Sequence, residues 1–142
     1  MTGRILGWLI VTGYSLTVLN YLLKAINRRW VMPLPKESAG RARYQAFMRP
    51  FIRYHRYFAF LTAAALITHF IIQYLSWGFY ITGLLAGTLM VLQVFLGVYG
   101  TYWARNKRGS WLYVHRTTAV LLLAAMAIHI LYVSLSRQGL LF

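Results

Sequence analysis

Four apolar stretches, at about residues 5–26, 54–76, 80–103 and 114–136, constrain this chain more than any other feature. At 1.5 Å per helical residue, each is long enough to cross ~30 Å of hydrocarbon. With 60% hydrophobic and 11% charged residues among 142, the composition is too oily for a soluble domain of this size. The sequence therefore predicts one all-α domain over 1–142, an integral membrane four-helix bundle of up-down topology. The first stretch has no small-residue cleavage site, so it reads as a span rather than a cleaved leader.

Charge gives the expected orientation. Fifteen Lys and Arg stand against one acid, Glu37. Such an excess can mark a nucleic-acid binder, but here the charges gather at span ends. Lys24, Arg28, Arg29, Lys36, Arg41, Arg43, Arg49, Arg53 and Arg56 surround the first connection, and Arg105, Lys107, Arg108 and Arg116 the third. Only Arg4 and Arg137 remain for the opposite side. By the positive-inside rule, segments 27–53 and 104–113 face the cytoplasm of a bacterial inner membrane or its equivalent, with both termini outside. Trp30, Trp77, Tyr80, Trp103 and Trp111 sit at span ends as interfacial anchors. Anionic lipid headgroups, not nucleic acid, are the expected partners of this charge. Asn27 to Arg53, with Pro33, Pro35 and Pro50, reads as a loop carrying a short amphipathic helix around Arg41 to Met48 on the membrane surface.

The four histidines form two pairs of equal spacing, His55 with His69 and His115 with His129. Fourteen residues bring each pair onto one helical face, ~21 Å apart along the axis. Both pairs lie on spans running in the same direction, so His55 can face His115 and His69 can face His129 at two depths. A repeat at an offset of 60 residues surrounds them: His55-Arg56 matches His115-Arg116, Leu61 matches Leu121, and Ala64-Ala65 match Ala124-Ala125. Intramembrane histidines need polar partners or a ligand. Two facing couples at two depths are the geometry of bis-histidine haem, held between spans two and four. Without cysteine in the chain, a haem could not be attached through cysteine and would be held by nitrogen or oxygen ligands. Zinc competes weakly, because no acid or thiol accompanies the imidazoles and the two levels are too distant to share one ion. Chlorophyll is a better rival, although its magnesium needs one histidine rather than a facing pair.

Arg53, Arg56 and Arg116 lie where the propionates of an inner haem would emerge, and they equally serve topology. Gly83 and Gly97 on span three repeat the 14-residue interval, with Gly87 and Gly100 beside them and Gly7 and Gly13 on span one. Glycines at the depth of a macrocycle let backbone approach its edge, and small residues also serve plain helix packing. Phe58, Phe70, Met90, Phe95 and Met126 are candidate apolar packing around the rings.

Histidines 14 apart on the second and fourth spans, with paired glycines on an intervening span, resemble the four-helix haem core of cytochrome b from quinol-oxidising respiratory complexes. The transmembrane cores of ferric reductases and NADPH oxidases are similar. The resemblance covers about residues 50 to 136. It implies that His55 and His115 ligate an inner haem b, that His69 and His129 ligate an outer one, and that Gly83 and Gly97 pack against them. The chain departs from that family in having no further spans, no Pro-Glu-Trp-Tyr-like quinol motif and no acid in any span.

No catalytic residue is assigned on this reading. The expected function is transmembrane electron transfer as a subunit of a larger redox complex, exchanging electrons with a quinone pool or another cytochrome. Two alternatives stay open: a stand-alone quinone or metal reductase, and a chlorophyll-binding or assembly subunit of a photosynthetic or respiratory complex.

Overall fold

Hydropathy and helical period resolve into four α-helices in the computed structural model, which describes residues 2–106 and 109–138. They are α1 (Thr2–Ile26), α2 (Ala39–Trp77), α3 (Ile81–Tyr102) and α4 (Ser110–Arg137). All four are long and apolar enough to cross a membrane. Lys107 and Arg108, counted above in the second basic segment, and the side chain of Arg137 lie outside the described residues.

The surface agrees with hydrocarbon as solvent. Ile81 is 83% exposed and Leu75 77%, and Leu61, Val91, Val120 and Leu131 are likewise open. In water such a surface would be an aggregation liability, whereas facing lipid it leaves no apolar group unsatisfied.

One expectation is corrected. The segment before span two is not a loop with a separate surface helix, because α2 begins at Ala39 and runs unbroken through Pro50 to Trp77. A proline deletes one backbone donor and costs ~3 kcal/mol in a helix interior. Against that stand the good helix formers Ala42, Arg43, Gln45, Ala46, Met48 and Arg49. Rings at helical spacing add to them, with Tyr44, Phe47 and Phe51 separated by 6.5 and 5.3 Å. The irregular connection shrinks to the stretch after a π-helical turn, Asn27–Val31, that prolongs α1. Pro33 and Pro35 stop that helix, having no N–H to extend its ladder. Arg41 then ties the turn to α2 by donating to the Leu34 and Met32 carbonyls at 3.1 and 3.4 Å.

Contacts divide the chain into two compact units, Met1–Ala65 and Leu66–Phe142. In the first, α1 and the leading part of α2 pack antiparallel. The Tyr44 hydroxyl donates to the Leu23 carbonyl at 3.1 Å, and Gly13 lies directly against Thr62. In the second, Gly78 adopts φ +78° and its N–H bonds the Tyr74 carbonyl, closing α2 with a left-handed residue that a side chain would strain. Antiparallel packing of α3 on α4 follows from three contacts: Gly83 with His129, Gly97 with His115, and Gly100 with Trp111.

Candidate cofactor-binding histidines

The α3 and α4 register explains why a 14-residue interval recurs. Along α4, Trp111, His115 and His129 meet α3, and Thr118, Leu122, Ala125 and Met126 between the histidines are buried. Met126 aside, their steps of three and four are those of a heptad seam, and 14 residues are two heptads. Both imidazoles therefore sit on the seam. On α3 the matching positions are Gly83, Ala86, Met90, Gly97 and Gly100, with Ala86 and Met90 buried.

Gly83 and Gly97 touch the histidines themselves. A Cβ on Gly83 would come within 2.9 Å of His129 Cε1, and one on Gly97 within 3.6 Å of His115 Cε1. The His129 ring is thus pressed against bare backbone, while the His115 ring is in ordinary contact. His69, in the same unit, lies within electrostatic reach of His129. The remaining glycines have other roles: Gly100 accommodates Trp111, Gly13 accommodates Thr62, and a Cβ on Gly87 would meet nothing within 4 Å. Gly100 and Gly13 fit plain helix packing, whereas nothing packs on Gly87. Met90 and Met126 are buried, whereas Phe70 and Phe95 are exposed.

Two partners of the histidines were not singled out by sequence. Thr82 Oγ1 lies 3.0 Å from His129 Nδ1, and Gln93 Nε2 lies 3.3 Å from His115 Nε2. The signal was present, since Gln93 is an amide inside an apolar span and such groups need partners. Its buried Oε1 has none among the described residues. Trp111 tilts over His115 at 6.2 Å between centroids.

In the first unit, the His55 imidazole lies against the Thr17 carbonyl and within electrostatic reach of Lys24. Its buried Nδ1 has no hydrogen-bond partner among the described residues. Midway between His55 and His69, Thr62 is 3% exposed and donates to the Phe58 carbonyl at 2.6 Å. Leu122, midway between His115 and His129, is fully buried. Each histidine pair is therefore divided by a sealed position seven residues from either ring. All four histidines are half-buried.

Arg53, Arg56 and Arg116 are exposed, and the Arg53 guanidinium lies 5.8 Å from the Tyr54 ring centroid. No three histidine or acidic side chains converge among the described residues. On α4 the two imidazoles lie at separate levels along the helix, each against its own glycine of α3. Comparisons of the chain with protein-family models, with curated proteins and with solved structures find no match.

Proposed function

We propose that this chain is a dihaem b-type cytochrome that passes single electrons across a membrane, as a subunit of a larger redox complex, in the manner of the cytochrome b core it resembles. One observation carries the proposal: two imidazoles on α4 meet two glycines of α3, both pairs at the same 14-residue interval. A heptad seam accounts for the shared interval; an imidazole opposite a glycine at both levels of it is what supports two planar groups at two depths. The residues present suit haem chemically. His129 is held through Nδ1, which leaves Nε2 for iron, and His69 is near it. For the inner level, His55 and His115 open the same motif 60 residues apart, and the unpartnered Nδ1 of His55 is consistent with a ring awaiting a ligand. Haem held by His55 with His115 and by His69 with His129 would supply reversible one-electron chemistry. Arg53, Arg56 and Arg116 would offer charge-assisted hydrogen bonds to propionates of the inner group. In the membrane, segments 27–53 and 104–113 would be cytoplasmic and both termini outside.

A redox-titrated visible spectrum with a pyridine haemochrome count tests the proposal. Two protohaems per chain with distinct potentials are expected; chlorophyll, or no tetrapyrrole, would refute it. Turnover of a quinone or metal by the isolated chain would instead favour the stand-alone reductase.

The glycines carry a graded expectation. Gly83→Ala must displace the His129 ring, so outer haem affinity should fall roughly tenfold. Gly97→Ala adds a methyl at ordinary contact distance and should leave the inner haem nearly untouched. Equal effects in haem titrations of the two variants would argue against the glycines having tier-specific roles.

Orientation is equally accessible, because the chain contains no cysteine. A thiol introduced by Glu37→Cys should react with an impermeant maleimide only from the cytoplasmic side, and one introduced by Phe79→Cys only from the opposite side. The reverse pattern would invert the topology.

A further inference from the structure

The two α4 histidines are held by α3 in chemically different ways. At the outer level Thr82 engages His129 through Nδ1, and at the inner level Gln93 engages His115 through Nε2. Thr82 directly precedes Gly83, so His129 is fixed on two sides, by a hydrogen bond at one nitrogen and by bare backbone against Cε1. An imidazole bonded at one nitrogen presents the other to a metal, and the bonded partner sets both tautomer and ring orientation. Were Nε2 to ligate iron, the ring proton would lie on Nδ1, which would then donate to the Thr82 oxygen.

We infer that Thr82 is a positioning residue for the outer haem: it selects Nε2 of His129 as the ligating atom and lowers the outer potential relative to a ligand without that bond. The inference rests on the dihaem reading above. A hydroxyl oxygen accepting from Nδ1–H pushes electron density into the ring, and a more basic axial ligand favours ferric over ferrous iron. Gln93 provides the contrast. Its amide engages the nitrogen that would ligate, so it must give way when the inner site fills, whereas Thr82 keeps its contact.

The test compares redox titrations of the wild type, Thr82→Val and Thr82→Ser, the outer signal being the one missing from His69→Ala. Thr82→Val should raise the outer ferrous to ferric ratio three- to tenfold at fixed potential, about 30 to 60 mV at about 59 mV per decade for one electron. Alternatively, it should lose the outer haem alone. The inner potential should not move, and Thr82→Ser should restore the wild-type value. Thr82→Ala carries the same expectation if the valine variant does not accumulate. Two haems with unchanged potentials in Thr82→Val, equal shifts of both, or failure of serine to restore the value would overturn the assignment while leaving the dihaem reading intact. Absence of haem from the wild type would overturn both.

Discussion

If the chain holds two haems as proposed, His69→Ala is expected to remove one of them and leave the other in place. The imidazole it removes lies within electrostatic reach of His129, and no third histidine or acid gathers with them among the described residues to substitute. Loss of a partner that merely orients a metal ligand already costs 10- to 100-fold in affinity in metal sites generally. Loss of the ligand itself should exceed ~100-fold, enough to empty the site at ordinary haem concentrations. The haemochrome count should fall from two per chain to one, and His129→Ala should remove the same spectral component. His55→Ala should remove the other. Retention of both haems in His69→Ala would contradict the pairing, and loss of both would show that the two levels fold as one cooperative site.

Gly100→Ala and Gly87→Ala should change stability in opposite directions, although both make the same chemical change in the same helix. Replacing glycine by alanine inside a helix stabilises it by up to ~1 kcal/mol through reduced backbone entropy in the unfolded chain. At Gly87 nothing lies within 4 Å of the added methyl, so that gain should appear nearly in full. At Gly100 the methyl would overlap Cζ3 and Cη2 of Trp111. That ring cannot swing aside freely, because its Nε1 donates to the Asn106 carbonyl at 2.9 Å. Overpacking costs ~1–3 kcal/mol, and breaking the indole hydrogen bond adds ~1 kcal/mol. The clash outweighs the propensity gain, giving a net loss of roughly 1–3 kcal/mol. Thermal unfolding in detergent checks both, and a Gly100→Ala protein as stable as the wild type would mean that the α3 and α4 contact yields at this point.

Much of the molecule follows from patterns along the chain. Hydropathy marks four helices of membrane length, and their ends near residues 26, 77, 102 and 137 differ little from those expected. Pro50 is the instructive failure. Read by itself it ends a helix, but the helix formers and ring ladder on either side carry α2 across it. A proline's cost is local and fixed, while the gain from continuing a 39-residue helix accumulates along its length.

The candidate site divides in the same way. Equal histidine intervals, and the matching interval of Gly83 and Gly97, are visible in sequence because 14 residues come close to four helical turns and so return to one face. Sequence could not show that Gly83 and Gly97 meet imidazoles whereas Gly100 meets an indole and Gly87 meets nothing. Nor could it show which ring nitrogen Thr82 or Gln93 engages. Periodicity along one helix needs only the rise and twist of that helix, so the sequence alone determined four spans and two histidines on one face of each histidine-bearing helix. Which side chains oppose one another depends on the axial register and rotation of one helix against its neighbour. Those are settled by packing of Ala86, Met90, Leu122 and Met126 in the seam, so only the tertiary structure decided which groups touch the rings.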